Sequence, residues 1–169
     1  MATTKHILQD SHPAIISIRL AAIATSFTAL IIFAWATTAH HRVFTDTNGA
    51  SLCGIILGPI SYALLWSLVS LTILLVLRRS VHPGIYIAFD FIAFGAVLGA
   101  TIPVMLIMVP VGEGGYPKLH GPGKDTKLPK VEYFGYTTTL LNSVFHFILF
   151  VWACWACDYY RKRARKVDV

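Results

Sequence analysis

Charge is the scarcest property of this 169-residue chain, because only 13% of its residues are Asp, Glu, Lys or Arg. Soluble domains carry about 25% of such residues, so about half of the polar surface of a soluble enzyme is missing. Cysteine is also scarce, and three cysteines are too few for the disulfide framework of a small secreted protein. Hydrophobic residues make up 56% of the chain, which excludes a disordered protein and leaves an integral membrane protein.

Four apolar runs are long enough to cross a bilayer, whose hydrocarbon core requires about 20 apolar residues in a helix. They predict an all-α integral membrane protein. The four transmembrane helices are expected over residues 14–39, 52–77, 84–111 and 134–157. The rest of the chain divides into an N-terminal segment 1–13, outer loops 40–51 and 112–133, an inner turn 78–83 and a basic tail 158–169.

The basic residues are distributed unequally between the two sides of this four-span chain. Nine Lys and Arg residues fall on the side that holds both termini, and five fall on the other side. The positive-inside rule therefore favours cytosolic N- and C-termini, in the plasma membrane or an endomembrane. No motif indicates a nucleic-acid partner. The basic side chains of the tail are instead expected to contact anionic lipids of the inner leaflet, namely Arg161, Lys162, Arg163, Arg165 and Lys166.

Two charged residues lie inside the expected helices, and such residues are costly in lipid. Arg19 and Asp90 each lie five residues past the start of their helix, so both are about 7–8 Å deep at 1.5 Å per residue. Helices one and three cross the membrane in the same direction, and the opposite charges therefore share one depth. We predict a structural ion pair between Arg19 and Asp90. The alternatives are a proton or substrate site at Asp90, or a small aqueous inlet beside it.

A second polar pair lies in helix four, where Asn142 and His146 are four residues apart and share one face. We expect both to face the bundle interior and to form interhelical hydrogen bonds. Candidate partners are the polar side chains of helix two, Tyr62, Ser67 and Ser70. Depth along the membrane normal separates His146 from Asp90 by about 7–8 Å. The alternative role of His146 is a metal ligand or a proton relay.

Small residues and cysteines supply three further expectations. Gly95 and Gly99 have the small-xxx-small spacing of close helix packing, within the chain or between two copies. Cys154 and Cys157 lie at a juxtamembrane helix end, where S-palmitoylation occurs, although buried apolar cysteines are the alternative. A redox role of this C-x-x-C pair is disfavoured, because such motifs act at a helix N-terminus. His40-His41 and His120 could meet in the outer loops, but they match no metal-site spacing, so no metal or cofactor is predicted.

The chain resembles MARVEL-type tetraspan proteins over about residues 10–160. The resemblance is carried by Arg19 in Ile18-Arg19-Leu20 and by Asp90 in Phe89-Asp90-Phe91, and the basic turn from Arg78 to Gly84 is similar to that of small fungal members. It implies an antiparallel four-helix bundle that organises membrane microdomains, or takes part in membrane apposition or vesicle trafficking. The implied partners are the bilayer and a homo-oligomer or other membrane proteins.

A small four-span membrane enzyme is the alternative function. It would resemble the oxygenase-like proteins of fungal secondary metabolism and would use His146 and Asn142 in one cavity; a carrier is a further alternative. The sequence contains no G-x-S-x-G, H-E-x-x-H or Walker motif. A non-enzymatic role is therefore favoured, and no catalytic residue is assigned.

Overall fold

The computed structural model describes residues 13–43, 48–77, 82–110 and 127–167. Apart from the single residues 82 and 127, this part of the chain is helical, which confirms the expected all-α class. The elements are α1 (Pro13–Val43), α2 (Asn48–Thr72, continued by a π-helical turn, Ile73–Leu77), α3 (Pro83–Pro110) and α4 (Leu128–Val167). Most of the expected N-terminal segment, of the inner turn and of the long outer loop lies outside the described residues.

Each helix contains a segment that is long and apolar enough to cross a membrane. The four segments have 26 to 30 residues and mean hydropathies of 1.8 to 2.3. Helices suit lipid because all of their backbone bonds are made within the segment. Large apolar side chains such as Phe27, Leu65 and Leu106 are more than half exposed on the outside of the bundle. These features indicate a multi-pass membrane protein.

The helix ends differ from those expected from hydropathy. Helix α4 begins at Leu128 rather than at residue 134. Pro129 lies in its first turn, where backbone N–H groups have no acceptor within the helix, so proline is tolerated. It also continues to Val167 rather than ending at residue 157, so the basic tail extends the fourth helix. On this extension Lys162 Nζ lies 2.6 Å from Asp158 Oδ2 in an exposed i,i+4 pair. The polar composition of residues 128–133 and 158–167 indicated that they lie outside the membrane. A helix can nevertheless continue through polar segments.

The helices close into a ring, because each packs against its neighbour in sequence and α1 packs against α4. Along α1 and α4 the contacts run in opposite order: His40 meets Glu132, Phe33 meets Tyr136, and Ser26 meets Asn142. The largest core cluster draws on all four helices, and its buried members are Ala29, Phe33, Ala36, Cys53, Ile56, Ile60, Val104, Met108, Leu128 and Tyr136.

Hydroxyl groups inside the helices are largely satisfied by their own backbone. Thr25, Thr101 and Thr139 each donate to the carbonyl oxygen four residues earlier, at 2.9, 2.7 and 2.8 Å. Such bonds remove the need for a partner on another helix. Interhelical polar contacts are therefore made mainly by the charged, amide, imidazole and indole groups described below.

The close helix approach is not at the glycines that the spacing singled out. Gly95 and Gly99 lie on an exposed face of α3, and a Cβ at either position would have no neighbour within 4 Å. Neither glycine therefore packs against another described helix of this chain. Gly135 does, because a Cβ there would lie 2.8 Å from Ile32 Cγ2 and 3.1 Å from the Phe33 ring. Helices α1 and α4 approach closely where α4 carries Gly135.

Candidate functional site

Asp90 of α3 is fully buried and forms an ion pair with Arg19 of α1. Arg19 Nη2 lies 2.8 Å from Asp90 Oδ2, and Nη1 lies 3.3 Å from Oδ1. The Arg19 side chain is itself only 5% exposed. The structure thus brings together the two charged residues that the sequence placed at one depth, in the two-pronged geometry that favours Arg–carboxylate pairs.

Two further donors, from the other two helices, complete the surroundings of Asp90. Trp66 Nε1 on α2 donates to Asp90 Oδ1 at 2.9 Å, and His146 Nδ1 on α4 lies 3.1 Å from the same oxygen. A buried carboxylate is tolerated only when it is paired and hydrogen-bonded. Arg19, Trp66, Asp90 and His146, here named the Asp90 cluster, supply one residue from each helix and so join all four.

Aromatic rings enclose the cation of the Asp90 cluster. The Arg19 guanidinium carbon lies 4.9 Å from the centre of the Tyr86 ring and 5.9 Å from that of Trp66, within the range of cation–π attraction. The Trp66 ring stacks on Phe89 at 4.5 Å. Sequence reasoning missed Trp66 because tryptophan is common in membrane helices and its spacing gives no separate signal.

The partner of His146 differs from the one expected. Ser70 donates to the carbonyl of Ser67 within α2, and His146 instead reaches Asp90. The expected vertical gap between Asp90 and His146 compared backbone positions, whereas the contact joins side-chain atoms that extend toward each other. Among the described residues, His146 Nε2 and the buried hydroxyls of Tyr62 and Ser67 have no hydrogen-bond partner.

Asn142 points to a different helix from His146. Its side-chain Nδ2 lies 2.9 Å from the Ala22 carbonyl oxygen, 3.0 Å from Thr25 Oγ1 and in hydrogen-bond contact with Ser26 Oγ, all on α1. Asn142 therefore ties α4 to α1, while His146 ties α4 to α3. The two residues share a helix face, but the structure does not bring their polar groups to a common partner.

A second buried carboxylate is Glu132 of α4. Sequence analysis assigned Glu132 and its neighbour His40 to outer loops, and it placed the third member, Cys53, at the start of the second helix. His40 Nε2 of α1 lies 2.5 Å from Glu132 Oε1, and the Cys53 thiol of α2 donates to the same oxygen at 3.6 Å. All three residues are at most 4% exposed. These residues are named the Glu132 cluster.

The Glu132 cluster could have been found from the buried stripe of α4. Leu128, Glu132, Tyr136 and Thr139 are buried at intervals of three or four residues, which is helical periodicity. The stripe starts before the apolar run does. A hydropathy average assigned Glu132 to the loop because lysines surround it, although its spacing continues the interior face.

An open groove of about 530 Å³ runs along the outside of α1 and α4. Its floor is apolar, and two lysines of the α4 N-terminal region stand beside it. The groove is lined by Thr28, Ile31, Ile32, Lys127, Lys130, Val131 and Phe134. An apolar floor next to positive charge suits one acyl chain and the phosphate of a lipid.

The remaining candidate residues lie toward the end of α4. Cys154 and Cys157 are free thiols and are half-buried. Arg161 and Lys162 are exposed, as lipid-contacting side chains must be. The side chains of Arg163, Arg165 and Lys166 lie outside the described residues.

Comparison with protein-family models, with curated proteins and with solved structures finds no match to this chain. Function is therefore inferred from geometry. Both oxygens of Asp90 are engaged by donors, so this cluster can hold helices together without a bound ligand. The Glu132 cluster presents nitrogen, sulfur and oxygen atoms that all lie within 4.8 Å of one another.

Proposed function

We propose that this protein is a non-enzymatic four-span membrane protein that organises membrane microdomains or takes part in membrane apposition or vesicle trafficking. The observation that carries the proposal is the Asp90 cluster, in which one side chain from each helix meets at a single carboxylate. Such a contact uses the buried polar groups to fix the bundle. A fixed bundle with an apolar exterior suits a protein that acts on the surrounding lipids.

The proposed arrangement is an antiparallel bundle with both termini in the cytosol. The opposite order of contacts along α1 and α4 supports the antiparallel part. The excess of basic residues on the side of the termini, nine against five, supports the orientation. In this arrangement the Asp90 cluster is nearer the cytosol and the Glu132 cluster is nearer the outer or lumenal surface.

Lipids are the proposed partners at both surfaces. On the outer side, the apolar groove can hold an acyl chain next to the two cations Lys127 and Lys130. On the inner side, the exposed Arg161 and Lys162 attract anionic headgroups, at about 1 kcal/mol for each basic residue near the surface. Contacts to both leaflets would enrich selected lipids around the bundle.

Reconstitution of the full chain into giant vesicles with coexisting ordered and disordered lipid domains tests this function. We expect the protein to concentrate in one domain type and to change domain size. Lys127→Gln with Lys130→Gln should reduce that enrichment, whereas the exposed Thr38→Ser is a matched control outside the groove. Uniform distribution of the wild-type protein, with domains unchanged, would contradict the proposal.

A membrane enzyme that uses His146 remains the second candidate, because His146 Nε2 is buried without a described partner. The orientation of Asn142 toward α1 argues against a shared catalytic site. His146→Gln separates the two functions in the same vesicles and in cells. If the protein is an enzyme, His146→Gln should remove a product from cellular extracts and leave lipid partitioning unchanged. Lipid organisation predicts unchanged small-molecule content.

A further inference from the structure

The Glu132 cluster has the donor set of a transition-metal site. His40, Cys53 and Glu132 come from three different helices, and their imidazole nitrogen, thiol sulfur and carboxylate oxygen converge. All three are buried. We propose that this cluster binds one Zn²⁺ ion through His40 Nε2, Cys53 Sγ and a carboxylate oxygen of Glu132.

The chemistry of the three donors selects the class of metal. Imidazole, thiolate and carboxylate are the ligands that zinc uses in proteins. Magnesium and calcium require oxygen ligands and are disfavoured by Cys53 and His40. Three protein ligands leave a fourth tetrahedral position for water or another ligand, which is the pattern of an open zinc site rather than of a closed structural one.

The sulfur–oxygen distance in the cluster matches that around a tetrahedral ion, whereas the nitrogen–oxygen distance is shorter. With bonds of about 2.3 Å to sulfur and about 2.1 Å to oxygen, the sulfur and oxygen lie roughly 3.6 Å apart. Cys53 Sγ lies 3.6 Å from Glu132 Oε1. His40 Nε2 and Glu132 Oε1, at 2.5 Å, share a hydrogen bond. The metal would replace that hydrogen, so these two atoms must separate by about 0.9 Å.

Charge balance in the buried site favours a divalent ion. Zinc binding requires the Cys53 thiolate, the Glu132 carboxylate and a neutral His40 ring, so two negative charges compensate the two positive charges of the ion. The thiol proton leaves to the solvent. The hydrogen shared by His40 and Glu132 is accounted for by the other ring nitrogen, because a neutral imidazole that ligates through the Nε2 lone pair carries its proton on Nδ1. The Asp90 cluster is not suited to a divalent ion, because Arg19 already neutralises the Asp90 carboxylate.

Gly49 positions the imidazole of this site. A Cβ at Gly49 would lie 2.6 Å from His40 Nδ1 and 2.7 Å from His40 Cε1, so the start of α2 lies directly against the ring. Only glycine permits this approach without moving the ring. Gly49 is thus a positioning residue, and Gly49→Ala should weaken zinc binding without removing a ligand.

Zinc titration of the purified full chain in nanodiscs, in competition with a fluorescent chelator, tests the proposal. We expect one ion per chain, and Cys53→Ser, His40→Gln and Glu132→Gln should each weaken binding about 100-fold or more, since even outer-shell losses reach 10–100-fold. Cys157→Ser and His82→Gln are matched controls that should bind as wild type. Cobalt should show a thiolate charge-transfer band that Cys53→Ser abolishes.

A second measurement decides the matter if a ligand variant fails to fold. In a Cys154→Ser, Cys157→Ser chain, Cys53 is the only thiol, and zinc should slow its alkylation by a membrane-permeant maleimide at least tenfold. A wild-type chain that retains less than one-tenth of an equivalent of zinc would overturn the proposal. Zinc affinity unchanged by Cys53→Ser, or alkylation unaffected by zinc, would overturn it as well.

Discussion

Two carboxylates are buried in the part of the chain that the structure describes, and their surroundings differ in one decisive respect. Asp90 contacts a permanent cation, Arg19, together with an indole N–H and an imidazole. The described partners of Glu132 are an imidazole and a thiol, neither of which is a permanent cation. A carboxylate beside a fixed cation holds helices together, whereas a carboxylate beside an imidazole and a thiol can share a metal ion with them, and the thiol proton then leaves to the solvent. Burial of an acid alone therefore does not identify its role.

Removal of the permanent cation is the largest expected perturbation. Arg19→Met leaves the charge of Asp90 buried without its partner, and such losses reduce the free energy of unfolding by about 3–5 kcal/mol. Unfolding by SDS in mixed micelles measures the change. Lys162→Met, which removes an exposed ion pair with Asp158, is the control and should change stability by less than about 1 kcal/mol.

Asp90→Asn in the Arg19→Met background extends this test. The double variant should recover part of the lost stability, because the second substitution removes the uncompensated charge. Equal effects of Arg19→Met and Lys162→Met would show that the Asp90 cluster does not hold the bundle together, and the contrast with Glu132 would disappear.

Packing is the next largest effect, and it concerns the region of α4 that carries Glu132. Gly135→Ala places a methyl group 2.8 Å from Ile32 Cγ2, and overpacking of this kind typically destabilises by about 1–3 kcal/mol. Gly99→Ala should stay within about 0.5 kcal/mol, because its Cβ meets nothing. Thermal unfolding in detergent compares the two. A larger loss at Gly99 would point to a contact outside this chain.

The smallest expected effect comes from a neutral polar contact between the two clusters. Asn142→Ala removes the amide that reaches Ala22 and Thr25 of α1. Interhelical hydrogen bonds in membranes contribute about 0.6 kcal/mol on average, so SDS unfolding should show a loss near that value. A loss as large as that of Arg19→Met would mean that hydrogen bonding, rather than charge pairing, dominates the interior.

Much of the fold could be predicted from sequence because lipid imposes strong rules. Four apolar runs indicated four helices, and Arg19 and Asp90 were conspicuous because charge is rare in such runs. Glu132 was missed, because a hydropathy average that included neighbouring lysines assigned it to a loop. In the structure Glu132 is buried because it pairs with the buried His40. The small-xxx-small spacing also predicted close helix packing at Gly95 and Gly99, but it did not show whether these glycines face another helix of the bundle. Contact between helices depends on rotation, which a local pattern of small residues does not determine.

The length of α4 has a mechanical consequence. Its 40 residues extend about 60 Å at 1.5 Å per residue, whereas a bilayer with its headgroups is about 40–45 Å thick. One unbroken rod thus carries Glu132 near its start and Arg161 and Lys162 toward its end. A tilt or rotation of α4 at Glu132 must also move Arg161 and Lys162 at the opposite membrane surface. The helix can therefore transmit a movement from one side of the bilayer to the other.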